Sequence, residues 1–120
     1  MSILSKRLKE ARLRKGLSQE QLGLEAGLDA MSASARMNRY ELAKRVPDFA
    51  LVERLAAVLE VPPAYLFAKD DGLANLILLF SKLDANQKEE VILLIKGLSQ
   101  DLLVELGIMK SDTDTAHQSK

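Results

Sequence analysis

The segment "ASARMNRYE", residues 33–41, has side chains spaced so that a helix would divide them into two contrasting sides. At about 100° per residue, Ala33, Met37 and Tyr40 fall within a narrow arc, so they form the predicted buried side. The opposite side begins with small residues and continues with an amide and a guanidinium: Ser34, Ala35, Asn38 and Arg39. Such a helix can approach a surface closely at one end and reach into it at the other.

Asn38 and Arg39 supply hydrogen-bonding groups in pairs. The amide of Asn fits the major-groove edge of adenine, and the guanidinium of Arg fits that of guanine. The outward side of residues 33–41 therefore predicts contact with the major groove of double-stranded DNA. The alternative is a solvated surface, because Ser, Ala, Arg and Asn are also common on helices that contact nothing.

Charge is unevenly distributed along the 120-residue chain, although the formal net charge is zero. Residues 1–47 contain ten basic and five acidic residues, a balance of +5; residues 48–120 contain seven basic and twelve acidic ones, a balance of −5. This asymmetry favours a polyanionic partner for the first part of the chain. A solvated, Lys-rich helix would give the same count, so charge alone does not choose between the two interpretations.

Two shorter patterns precede the segment and would position it. Gly16 ends a first helix that begins near Ile3, and "SQEQ" at residues 18–21 predicts a capping box for a second helix. Gly27 ends that second helix, because glycine adopts the positive φ of a tight helix exit at low cost. A short capped helix, a turn and another helix form a helix-turn-helix, in which the second of the two helices reads base edges.

Helical patterns also follow the segment. Asp48 is the predicted N-cap of a helix that runs to about Glu60, and Pro63 can open a one-turn helix. The predicted inward side chains of the helix that follows Asp48 are Phe49, Val52, Leu55, Ala56 and Leu59. Met31 and Met37 are expected to fill the core. No sustained alternation or Asn-Gly hairpin competes, so the sequence predicts an all-α protein.

Three stretches resemble the phage repressor and Cro family of helix-turn-helix transcriptional regulators, the XRE-like group. They are "ARLRKGLSQEQLGLEAGL" (11–28), "NRYELAKRVPDF" (38–49) and "LVERLAAVLEVPPAYLF" (51–67). "GLSQEQL" followed by "RYE" is a distinctive combination. The resemblance implies a five-helix, repressor-like DNA-binding domain over residues 1–68, whose third helix is the recognition helix.

The resemblance also implies roles for individual residues. Base-edge contacts would come from the outward set, Ser34, Ala35, Asn38 and Arg39. Phosphate contacts would come from Ser18 and Gln19 at the start of the second helix, from Arg36, and from Lys44 or Arg45 in the loop that follows. A structural ion pair is implied between Arg12 and Glu41, which would lock the first helix to the end of the third.

Two departures from the family pattern affect the third helix. The chain has about four extra residues around 29–32, close to one helical turn. They either lengthen the turn or add a helical turn capped by Asp29 or Ser32. In addition, Ala43 stands where the family commonly has Gly. A positive φ would cost Ala about 1 kcal/mol there, which predicts a different exit from the third helix.

The region 69–109 is predicted to form helices that pair two protomers. Asp84 and Gln87 are a predicted capping pair, and apolar residues then recur at spacings of three and four: Val91, Leu94, Ile95, Leu98, Leu102 and Leu106. This stripe is more apolar than a lone surface helix should expose. Helix-turn-helix proteins usually bind as dimers on half-sites about 34 Å apart. The alternative is that these helices fold back and complete the core of the first part.

Enzymatic chemistry has little support in the sequence. The chain has no Cys, which excludes thiolate metal sites, and it lacks a Gly-rich phosphate loop or a nucleophile motif. The single His117 lies in the polar segment 110–120, which is predicted to be disordered. We therefore predict a non-enzyme with no cofactor, no metal site and no evident small-molecule effector.

These features predict a cytoplasmic, sequence-specific DNA-binding transcriptional regulator, a dimeric repressor that occupies promoter DNA. Short apolar runs and the absence of a signal-peptide core predict no membrane association. The alternative function is a helical protein-interaction module, antitoxin-like or an adaptor, with secondary or no DNA binding. The acidic second part and zero net charge would suit that alternative.

Overall fold

The computed structural model describes residues 1–107, which form seven α-helices and a short 3-10 helix and contain no strand. The α-helices are α1 (Ile3–Lys15), α2 (Gln19–Glu25), α3 (Ala33–Glu41), α4 (Phe49–Leu59), α5 (Asp71–Lys82), α6 (Ala85–Leu98) and α7 (Gln100–Glu105), and the 3-10 helix is Pro63–Phe67. The all-α prediction is confirmed. The predicted disordered segment 110–120, with His117, lies outside the described residues.

The predicted helix ends are present where local sequence signals placed them. Gly16, at φ 77°, ends α1, and Gly27 follows α2 at φ 92°. Ser18 and Gln21 form both bonds of the capping box, and the Asp48 side chain accepts a hydrogen bond from the backbone N–H of Leu51 at 2.8 Å. These caps satisfy backbone N–H groups that the first turn of a helix leaves without a partner.

The core lies between α1, α2, α3, α4 and the 3-10 helix. Its fully buried side chains include Leu8, Leu22, Met37, Leu55 and Leu66, one from each of these elements. Burying an aliphatic side chain of this size contributes about 1.5–3 kcal/mol relative to leaving it exposed. The core also fixes the orientation of α3, because Met37 of α3 is one of its buried side chains.

Two side chains predicted to be inside are outside. Phe49 is 62% exposed, whereas Leu51 is buried. The buried side of α4 runs from Leu51 to Leu59. Phe49, the first residue of the helix, lies outside that side. Met31 is 93% exposed because it lies in the turn before α3 rather than on the helix.

By its contacts the chain divides into two compact units: Met1–Lys82, and a second that begins at Leu83. α5 belongs to the first. Ala74 is fully buried, and Ile77 and Leu78 pack against the core. Thus α5 folds back and packs against the core of the first unit, as in the alternative arrangement given above. The first unit therefore extends beyond residue 68. The functional division into a DNA-binding domain (1–68) and a dimerisation region (69–109) stays a prediction.

Arg7 joins α1 to the segment that leads into α5. Its side chain is only 4% exposed; Nε donates to the carbonyl of Ala68 at 3.0 Å, and Nη2 donates to the carbonyl of Lys69 at 3.1 Å. Nη2 also lies 2.9 Å from Oδ1 of Asp71, the first residue of α5. The hydrogen bond from Arg7, together with the charge of nearby Lys6, holds the pKa of Asp71 below its ordinary value.

The second unit begins with the predicted capping pair. Asp84 and Gln87 form both bonds of a capping box at the start of α6. Ser99 separates α6 from α7, so the apolar stripe is divided between two helices. Neither α6 nor α7 has a buried residue; Val91 is half-buried, and exposure of the other stripe residues runs from 43% at Ile95 to 79% at Leu98.

Candidate nucleic-acid interface

α3 has the two contrasting sides that its sequence predicts. Ala33 and Met37 are completely buried and Tyr40 is nearly so. The four residues predicted to contact base edges are all exposed: Ser34, Ala35, Asn38 and Arg39. The exposed side is therefore narrow at the start of the helix and carries long polar side chains about one turn further on.

Close packing of α2 on α3 depends on Gly23, a residue that the sequence analysis did not single out. A Cβ at this position would lie 3.0 Å from Cβ of Ala33 and 3.1 Å from Cγ of Met37. Glycine inside a helix is intrinsically unfavourable, which is the signal that could have identified it. Its role is to let the two helices of the helix-turn-helix approach each other.

The extra residues before α3 form a turn and do not lengthen the helix. The backbone N–H groups of Ser32 and Ala33 donate to the carbonyl of Asp29 at 3.0 and 2.8 Å. The N–H of Met31 donates to the carboxylate of Asp29 at 3.2 Å, and the Ser32 side chain makes no capping bond. Of the two arrangements considered, the structure has the longer turn, closed by Asp29, and α3 still begins at Ala33.

The exit from α3 contradicts the expectation that Ala43 would change it. Ala43 has φ 58°, a left-handed conformation that glycine adopts at lower cost than alanine. The N–H of Leu42 bonds to the carbonyl of Asn38 at 3.0 Å, and the N–H of Lys44 bonds to that of Arg39 at 2.9 Å. Residues 42–46 are exposed, so the strained backbone of Ala43 is held by these local bonds that close the end of α3.

A buried ion pair connects α1 to the end of α3. Arg12 Nε donates to Glu41 Oε2 at 2.6 Å and Nη2 donates to Oε1 at 2.9 Å. A third bond runs from Nη1 to the carbonyl of Leu17 at 2.9 Å. The hydrogen bond to Glu41 raises the pKa of Arg12, and burial opposes this only in part. The arrangement fixes the end of α3 relative to α1 and to the turn that follows α1.

Gln19, at the start of α2, makes hydrogen bonds to two residues of α3. Its Nε2 lies 3.3 Å from Oδ1 of Asn38 and 3.3 Å from Oε1 of Glu41. The neighbouring Ser18 hydroxyl accepts from the N–H of Gln21 at 3.0 Å. Both residues predicted to contact phosphate at this end therefore make bonds within the protein.

Cationic side chains gather between the middle of α3 and the loop that follows it. Arg36, Arg39 and Arg45 line a cleft of about 320 Å³ with Tyr40. Arg36 Nη2 donates to the Tyr40 hydroxyl at 2.9 Å, and its guanidinium carbon lies 5.9 Å from the centre of the ring. Three guanidinium groups around one cleft, with no carboxylate among its lining residues, suit a phosphate group. Lys44 is exposed in the same loop as Arg45.

Residues 1–107, which the structure describes, contain neither a metal-binding cluster nor a membrane-spanning helix. No cluster of His, Asp and Glu there could hold a metal ion. None of the helices in that part has the length and apolar character needed to cross a bilayer.

Comparison with known proteins agrees with this geometry. Residues 3–66 match a family model described as a helix-turn-helix domain. Among solved structures, the crystal structure of transcriptional regulator BswR is similar, with 46% sequence identity and a TM-score of 0.77; the match covers 84% of this chain and 98% of that chain. A comparison with curated proteins found no match. The family model spans more than half of the sequence, and the protein belongs to the helix-turn-helix, XRE-like family of DNA-binding transcriptional regulators.

Proposed function

We propose that this protein is a dimeric repressor that binds a specific promoter sequence through α3 and acts, in the cytoplasm and without catalysis, by occupying that DNA. The observation that carries the proposal is the exposed side of α3, where Ser34 and Ala35 precede Asn38 and Arg39. Repression, the dimeric state and the role of each contact residue go beyond family membership.

The shape of α3 supports insertion into the major groove. An α-helix with its side chains is about 10–12 Å across, and the groove is about 12 Å wide. Small side chains at Ser34 and Ala35 leave room for the backbone to approach the bases. Asn38 and Arg39 then reach base edges, while the buried Met37 on the other side keeps the helix rigid.

The surroundings of α3 support contact with the DNA backbone. Arg36 and Arg45 lie in the arginine cleft between the middle of the helix and the loop that follows it, and Lys44 is in the same loop. Ser18 and Gln19 lie at the start of α2, where the first N–H groups of a helix attract anions. Phosphate contacts on the two sides of α3 would fix its register, and base contacts would supply the specificity.

Pairing of two protomers is supported by the apolar stripe of α6 and α7, in which Val91 is half-buried and the other members are exposed: Leu94, Ile95, Leu98, Leu102 and Leu106. Apolar side chains left in water at this density favour association, at about 25 cal/mol for each Å² of apolar surface that becomes buried. A two-fold dimer would present two copies of α3 to two half-sites.

The second candidate is a protein-interaction module that holds a different partner. It is favoured by the same exposed stripe and by further exposed side chains on α5, among them Leu76 and Leu79. Under this alternative the protein would associate with a partner while binding DNA weakly or not at all.

One experiment separates the two candidates. Random genomic fragments are retained on the full-length protein at two salt concentrations, and the retained DNA is sequenced. The repressor proposal predicts enrichment of a shared sequence, with binding that weakens as salt rises because counterions are released from the phosphates. Uniform or absent retention would support the interaction module.

A further inference from the structure

We propose that Gln19 sets the direction of the Asn38 amide, so that Asn38 presents a hydrogen-bond donor to DNA and favours guanine over adenine. The inference rests on the proposed function and adds the base preference of one contact. It starts from the buried Glu41, which contacts no DNA in that proposal but determines how Gln19 is oriented.

The carboxylate of Glu41 determines which group of Gln19 faces it. Glu41 is 2% exposed and accepts two bonds from Arg12. An ionised carboxylate only accepts hydrogen bonds, so the NH2 group of Gln19 must face it, since an amide oxygen in that place would be repelled. The 3.3 Å contact from Gln19 Nε2 to Glu41 Oε1 has this arrangement.

The same NH2 group then determines the orientation of Asn38. One of its two protons points to Glu41, and the other is available for Asn38, whose Oδ1 lies 3.3 Å away. The reverse orientation of Asn38 would bring two NH2 groups together, with no acceptor between them. Asn38 therefore turns its oxygen towards α2 and its Nδ2, with two donors, to the other side.

An Asn held in this way distinguishes base edges. Guanine presents two acceptors in the major groove, N7 and O6, whereas adenine presents the acceptor N7 beside the donor N6. A bidentate bond to adenine needs the amide oxygen and nitrogen to face the base edge together, but here the oxygen is turned towards Gln19 on α2. Exclusion of water by bound DNA would strengthen the exposed Gln19 bond, since hydrogen bonds gain strength at lower dielectric. Asn38 thus acts as a donor, and Gln19 as a positioning residue.

The test is selection of bound sequences from random DNA by full-length variants. Asn38→Ala identifies the base pair that Asn38 reads, as the position at which preference is lost. At that position the parent should prefer guanine, and Gln19→Met should lower the preference for guanine over adenine by roughly fivefold or more. Gln21→Met is the matched control: it removes an amide from the same turn of α2 that bonds only to Ser18, and it should leave the preference unchanged.

A second variant avoids any effect of Gln19 on folding. Asn38→Asp retains an acceptor for Gln19 but replaces the outward donor with another acceptor. It should move the preference from guanine to bases with an amino group, cytosine or adenine. Asn38 is exposed, so this variant should melt like the parent.

Failure of the inference is distinguishable from failure of the proposed function. If no sequence is selected by the parent, the proposed function is wrong and the inference is wrong with it. If a sequence is selected, sequence-specific binding stands, and the inference is overturned by any of three results: adenine preferred at the Asn38 position, guanine preference unchanged in Gln19→Met, or no position affected by Asn38→Ala.

Discussion

Gly23 of α2 and Ala33 of α3 approach so closely that a Cβ on Gly23 would lie 3.0 Å from Cβ of Ala33 and 3.1 Å from its carbonyl oxygen. Ala33 is completely buried and is the first residue of α3. The distance between the two helices of the helix-turn-helix is therefore set by the absence of one side chain.

Gly23→Ala should destabilise the protein by about 1–3 kcal/mol, because the added methyl group overpacks the contact with Ala33 and Met37. Chemical denaturation measures the change in the free energy of unfolding. Gly97→Ala in α6 is the control: a Cβ there meets nothing within 4 Å, and the substitution should stabilise its helix by about 0.5–1 kcal/mol. Equal effects at the two positions would show that packing at Gly23 is not tight.

Glu41→Ala should cost about 3–5 kcal/mol, because it leaves the guanidinium of Arg12 buried without its partner. Thermal and chemical unfolding measure this loss. Lys15→Ala removes the ion pair with Glu60, which is exposed to solvent, and should have a much smaller effect. An unchanged melting temperature in Glu41→Ala would contradict a structural role for the ion pair.

Ala43→Gly should stabilise the protein by about 1 kcal/mol, because glycine adopts φ 58° without the steric strain of a Cβ. Ala57→Gly, in the interior of α4, is the opposite control and should destabilise by about 1 kcal/mol. Denaturation midpoints compare the three proteins. A loss of stability in Ala43→Gly would mean that the exit from α3 is not strained.

Arg39→Ala should relax the sequence preference and weaken binding to the preferred sequence by about 1–3 kcal/mol, as expected for a base-edge contact. Arg36→Ala should instead weaken all sequences similarly and flatten the salt dependence, because it removes a proposed phosphate contact. Lys69→Ala removes an exposed cation distant in sequence from α3 and is the control. Titration of the protein with selected and random DNA at several salt concentrations measures both effects. If both variants bind DNA like the parent, the exposed side of α3 is not the DNA-binding surface.

Asp71→Asn should change how stability depends on pH. The hydrogen bond from Arg7 lowers the folded-state pKa of Asp71, so its contribution to stability is present above the unfolded-state pKa and is lost as pH falls through the lower, folded value. The parent should therefore exceed the variant in stability at neutral pH, and the difference should shrink below about pH 4. Unfolding curves between neutral and acid pH measure it, and a constant difference would contradict the assignment.

Local signals in the sequence were sufficient for the helix ends and for the two sides of α3. Ser18 with Gln21, Asp48, and Gly16 act on backbone groups within a few residues, so their effect is independent of the rest of the fold. The period of the α-helix likewise separates the buried Met37 from the exposed Asn38 without reference to other elements.

Tertiary structure alone decided the features that join residues distant in sequence. The exposure of Phe49 and the burial of Leu51 depend on where α4 meets its neighbours. The hydrogen bonds of Gln19 to Asn38 and Glu41 require α2 and α3 to be packed first, since sequence spacing does not specify the distance between two helices.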